Sequence, residues 1–139
     1  MSYDLVRNGI AGIINALGYI QSSEAIDFAS ASVNEYGNTF ILKCLSGDSD
    51  DEVSPTLNKG FYDIQKWQIQ IAFERSAQSE ASNYDILHRK RDAILADIDD
   101  PSKWGTYVRL QKYQSWSVQE FKNYLVLTIE LKIIDTYTY

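Results

Sequence analysis

The chain has 139 residues, 45% of them apolar and 23% charged, which is the balance of a soluble globular domain with room for one hydrophobic core. Thirteen Lys and Arg against nineteen Asp and Glu give a formal charge of -6, which argues against a general electrostatic hold on nucleic acid. One cysteine, Cys44, excludes a disulfide framework or a cysteine metal site, and no apolar run reaches the eighteen or so residues that cross a bilayer. The N-terminus lacks the basic start and apolar stretch of an export signal, so synthesis in a cytoplasm is expected.

Val6, Ile10, Ile13, Ile14 and Leu17 recur at three and four residues and predict an amphipathic first helix. Ser2 is its expected cap, Asp4 suits the positive end of the helix dipole, and Gly18 is placed to end the helix in a left-handed turn. Gly9 and Gly12 weaken it, at about 1 kcal/mol each, unless a neighbouring backbone needs the space.

Glu24–Ala29 reads as a short strand with Ile26 and Phe28 inward, and Ala29–Tyr36 as a helical turn or loop closed by Gly37-Asn38. Thr39–Leu45 is a clearer strand, with Phe40, Leu42 and Cys44 on one face. From Ser46 to Gly60 turn formers and acids dominate, which predicts a long loop of the kind usually reserved for function or disorder.

Phe61–Arg75 is the second strong strand. Phe61, Trp67, Ile69, Ile71 and Phe73 share one face, while Lys66, Gln68, Gln70 and Glu74 share the other. The glutamines, Gln65 counted with them, suggest a wet or partner-facing sheet surface. Ser76–Asp97 reads as a long helix with Tyr84, Leu87, Ile94, Leu95 and Ile98 on a stripe into which Arg91 intrudes, stopped by Asp97, Asp99, Asp100 and Pro101.

Tyr107–Tyr113 is a further strand, followed by a turn around Gln114–Glu120. The last segment, Phe121–Tyr137, alternates with Phe121, Leu125, Leu127, Ile129, Leu131 and Ile133 on one face. Fifteen such residues span roughly 50 Å, against a diameter of about 37 Å for a compact domain of this length. The strand must coil, break at a bulge, or project and seek neighbours. The expected fold is α+β: one domain over 1–139 with a single, mainly antiparallel sheet, two helices on one face and a long C-terminal hairpin.

No catalytic constellation stands out, and the chain reads as a non-enzyme without cofactor or metal. The lone His88 sits beside Arg89, Lys90 and Arg91, which discourages protonation and cation binding alike. The run Asp48, Asp50, Asp51 and Glu52 begins like a calcium loop, but Val53 stands at the glycine position and Lys59 at the closing carboxylate. It reads instead as a solvated acidic loop that meets a basic surface or repels polyanions. Arg89, Lys90 and Arg91 fan over more than half the helix circumference and cannot form one flat face.

In the order and patterning of its elements the chain resembles the tail-terminator or tail-completion proteins of long-tailed bacteriophages. The resemblance is carried by A-L-G-Y (Ala16–Tyr19), F-I-L-K-C-L (Phe40–Leu45), Y-D-I-Q-K-W-Q-I-Q-I-A-F (Tyr62–Phe73), Y-D-I-L-H-R-K-R-D-A-I-L (Tyr84–Leu95) and L-V-L-T-I-E-L-K-I (Leu125–Ile133). It implies a non-enzymatic virion protein of the tail or neck, made in the host cytoplasm. Such proteins assemble as a ring, usually a hexamer, that caps the tail tube, meets a head-side connector and lets DNA pass without specific binding. Candidate interface or lumen residues are Asp48, Asp50, Asp51, Glu52, Arg89, Lys90, Arg91, Gln68 and Gln70. Alternatives are a head-side stopper or adaptor, and a non-viral module that binds a protein ligand through the wet sheet face.

Overall fold

A computed structural model describes residues 2–22, 26–32, 35–50, 60–75, 80–104 and 108–138, with side chains left aside at 2, 48–50, 60–63, 80, 108–112 and 135–138. Its elements are α1 (Ser2–Ala16), β1 (Ile20–Gln21), β2 (Thr39–Asp50), β3 (Gly60–Glu74), α2 (Glu80–Ile98), a 3-10 turn at Pro101–Lys103, β4 (Val108–Glu120) and β5 (Tyr124–Thr138). The five strands form one sheet in the order β1-β2-β3-β5-β4. Only the short β1–β2 pair is parallel. The architecture is the expected α+β layer, closed by a β4–β5 hairpin.

Both helices lie on one face. Val6, Ile10 and Ile14 of α1 and Leu87, Ile94 and Ile98 of α2 are fully buried with Trp67, Ile69, Ile71, Leu127, Ile129, Leu131 and Ile133 of the sheet. These are the period-two positions of β3 and β5, so alternation in the sequence becomes the floor of the core. α1 closes at Ala16, and Gly18 just beyond it takes φ +99°. The Gly18 and Tyr19 amides donate to the Asn15 and Ile14 carbonyls, at 3.0 and 3.4 Å, and so satisfy the last carbonyls of the helix. Ser2 already belongs to α1 rather than standing outside as its cap. A Cβ at Gly12 would meet nothing within 4 Å, so close backbone approach is not the reason for that glycine.

The other face is not fully wet. Phe28 and Ala31 pack on Ile41, Ala72, Tyr124 and Val126 to make a second, smaller core. The chain over 26–31 forms no strand; Phe28–Ser30 is a turn, in which Asp27 accepts from the Ala29 amide and the Ser30 hydroxyl. Tyr124 fastens the cover. Its hydroxyl donates to the Ser32 carbonyl at 2.6 Å and accepts from the Glu35 and Tyr36 amides at 3.0 and 2.9 Å. Asn38, at φ 57°, turns the chain into β2.

Several boundaries differ from the sequence reading, each for an identifiable reason. The polar stretch Ser46–Asp50 is strand, not loop, because it pairs with Tyr62–Lys66 of β3. Neighbouring strands override weak propensity there. The remainder of the expected loop, 51–59, lies outside the described residues, as do Glu24 and Ala25 of the expected short strand. β4 runs on to Glu120, and the turn to β5 is Phe121–Asn123. An extra residue at Gln114 moves the positions on the helix side from Tyr113 to Trp116 and Val118, which hides the period of two. Phe121 faces the second core against Phe28, not the face of Leu125. Gln65 is 4% exposed and on the helix side, where it accepts from the Trp67 indole N–H at 2.7 Å.

β5 is long, but it does not project alone. It pairs with β3 from Tyr124 to Thr138, and with β4 from Leu125 to Asp135. The ladder carries on five residues beyond Ile133, the last fully buried position of β5 among the described side chains. At 3.3–3.4 Å per residue that is about 17 Å of sheet. Past Ile133 the ladder has four strands as far as Asp135, and only β3 and β5 beyond Thr136.

Candidate functional site

The sheet has two unlike outer strands. On one side β1 covers only Thr39 and Phe40, so β2 from Ile41 to Asp50 has no further strand beside it among the described residues. On the other side β4 is outermost along its whole length. Outer strands offer rows of backbone donors and acceptors to another chain. Each also leaves a large apolar side chain in solvent, Leu45 on β2 (45% exposed) and Trp116 on β4 (40%). Leu45 falls at the bulge between Cys44 and Ser46, which breaks the alternation there.

Trp116 is part of a cluster between α2 and β4. The Arg91 guanidinium lies 4.1 Å from its ring centre, and the His88 ring meets it edge-on with centroids 5.4 Å apart. Arg91 Nη1 is 2.8 Å from His88 Nδ1, and Nη2 is 2.8 Å from Asp92 Oδ1. A guanidinium only donates, so His88 Nδ1 accepts and its ring proton sits on Nε2. One turn away, the Tyr84 hydroxyl donates to Glu120 through a short hydrogen bond. That bond, then burial and the carboxylate's charge, raises the phenol above its ordinary value.

The three basic residues of α2 separate as the helix geometry requires. Arg91 goes to Trp116, Lys90 sits 5.6 Å from the centre of the Phe73 ring, and Arg89 is exposed. Lys90 and Asn38 border two shallow recesses, of about 220 and 190 Å³. Tyr19 lines the larger, and burial pushes its phenol up. Glu74 and Phe73 line the smaller. Neither recess gathers a nucleophile with a base.

Gln68 and Gln70 lie, half-buried, on the sheet face away from the helices. They belong to two cross-strand rows, Lys43–Gln68–Glu130–Ser115 and Ile41–Gln70–Thr128–Ser117. Lys66 lies 4.0 Å from Glu130, an exposed pair of small energetic weight. Beyond the second core the described side chains of this face in β3 and β5 are polar, apart from the half-buried pair Ile64 and Ile134. Asp48 and Asp50 stand near the end of β2, whereas Asp51 and Glu52 lie outside the described residues. The seven described candidates thus fall in three places, the β2 end, α2 and the polar face, and form no single site.

The sequence reading did not find Trp116, His88 and Tyr84 as a group, nor Tyr124 as a fastener. Spacing of three and four residues joins Tyr84, His88 and Arg91, a signal that was available. Their partner Trp116 was masked by the Gln114 bulge. Among the described residues no group of three His, Cys, Asp or Glu could hold a metal ion, and no helix is long and apolar enough to cross a membrane. The chain matches no protein-family model and no curated protein.

Proposed function

We propose that the protein is a structural subunit that closes into a ring, in the manner of a phage tail terminator, and that it has no catalytic role. The observation that carries this reading is the pair of unlike outer strands, β2 past Phe40 and β4, on opposite sides of one sheet. Identical copies that join through two different surfaces make head-to-tail contacts, and such contacts close into rings when the rotation allows. Beyond Ile133 both outer strands run on, β2 through Asp48–Asp50 and β4 through Val108–Leu110, which lengthens both surfaces. In this reading the ring, whose six copies are implied by the resemblance alone, caps the tail tube, meets a head-side connector and passes DNA. A formal charge of -6 supports passage without adhesion, because like charge opposes phosphate contact.

The polar rows through Gln68 and Gln70 favour a second reading, a module that binds a protein ligand on that face. One experiment separates the two. Sedimentation and native mass spectrometry are run on the full chain, alone and with assembled tail tubes, followed by electron microscopy of any oligomer. A ring with a central opening, free or seated on a tube end, supports the first reading. A chain that stays monomeric under both conditions overturns it.

A further inference from the structure

We propose that neighbouring copies join by sheet continuation, with β4 of one copy running antiparallel to β2 of the next. The proposal rests on the ring reading and specifies its contact. Its first support is chain direction. β2 and β5 run one way and β3 and β4 the other, so a copy turned about an axis along the strands brings an opposed pair of edges together. Antiparallel pairing is already how the four long strands bond among themselves.

The second support is level. Followed across the ladder, Ser46 stands in line with Lys66, Lys132 and Lys112, and Asp48 with Ile64, Ile134 and Leu110. The same rotation therefore sets the 46–50 end of one copy's β2 beside the 108–112 end of the next copy's β4. The third support is charge by position. The sequence puts Asp48 and Asp50 on the first of these segments, and Arg109 and Lys112 on the second. A parallel contact of β2 with β2, or of β4 with β4, at the same level would set like charges together and cost stability. Opposite charge thus favours the head-to-tail pairing at this level, and a second copy of this chain is the occupant that supplies both edges.

The test is a charge swap in the full chain. D48K/D50K makes both edges basic, and R109E/K112E makes both acidic. Each variant alone is expected to lose the oligomer that the wild type forms, and an equal mixture to regain it with the two chains alternating. The lost and regained species are read by native mass spectrometry, which resolves the two chains by mass. Melting temperatures check that both variants fold. Should one not fold, hydrogen exchange on the wild type decides: slower exchange within 41–50 and 108–120 on assembly is expected, and unchanged exchange in both overturns the proposal. Rings formed equally by the wild type and both folded variants would overturn edge pairing and leave the ring reading standing. A wild type that forms no oligomer would overturn both. One that uses these edges only with a different added protein would overturn the second copy as occupant.

Discussion

Arg91 lies over the Trp116 ring, its guanidinium carbon 4.1 Å from the ring centre, and this cation–π contact ties the middle of α2 to the outer strand β4. Arg91 is held there by three partners: the indole, His88 Nδ1 and Asp92. A double-mutant cycle with Arg91→Ala and Trp116→Ala should give a coupling of about 0.5–1 kcal/mol in chemical denaturation. Arg91→Lys should recover only part of it, since a compact ammonium cannot lie over the ring and bond His88 and Asp92 together. Additive single effects would mean that the contact contributes nothing.

Gln65 and Trp67 form a buried polar pair inside an otherwise apolar layer. Gln65→Leu removes the acceptor of the indole N–H and should cost about 1–3 kcal/mol. Adding Trp67→Phe removes the orphaned donor but opens a cavity, so the double variant should differ from the sum of the two single ones. Urea unfolding of the three variants measures this.

Tyr124→Phe keeps the ring that packs on Phe28 and deletes the hydroxyl that three backbone groups share. A loss of about 2 kcal/mol is expected, the range for stranded buried polar groups. The loss should be local. Amide exchange at Glu35 and Tyr36 should accelerate while that of β5 changes little, and uniform acceleration would contradict the fastener role.

Tyr84 donates to Glu120, and its raised phenol pKa gives that contact a pH dependence. The folded value lies above the ordinary 10.0. The stabilisation is therefore complete below about pH 10 and is lost as pH rises through the raised folded value. Against Tyr84→Phe, the wild type should keep a constant melting advantage near neutral pH that fades in alkali. An advantage that grew with pH would be the wrong sign.

Gly12 lies mid-helix with open space where a Cβ would stand. Gly12→Ala should raise stability by about 0.5–1 kcal/mol through helix propensity. Gly18→Ala should instead destabilise, because its φ of +99° strains any L side chain. A calorimetric comparison of the two gives opposite shifts in Tm.

The strongest sequence signals became structure because they were periodic over long stretches. Ile69 and Ile71 in β3, Leu127 to Ile133 in β5, and Ile10 and Ile14 in α1 needed only alternation or a helical stripe to be assigned to the core. The failures share one cause: tertiary context decides where local pattern is silent. Ser46–Asp50 has turn composition and is strand because β3 lies beside it. Gln114 and Leu45 each add one residue to a strand and shift the inward parity, so β4 looks irregular when read alone. Tyr124 and Phe28 could not be matched from sequence, since almost a hundred residues separate them and no spacing rule spans that distance. Of the candidate residues, Arg91 acquired a specific environment, whereas Asp51 and Glu52 lie outside the described residues.

The position of β5 has a further consequence, for biosynthesis. Of the five strands it is made after the other four, yet it fills the slot between β3 and β4. Until it leaves the ribosome, β3 has a neighbour only in β2, and α1 has only part of its floor. Pairing partners such as Gly60 and Thr138 are far apart along the polypeptide, an arrangement that slows folding. The nascent chain therefore cannot present its finished edges early, and completion of the sheet is delayed until translation of this last strand.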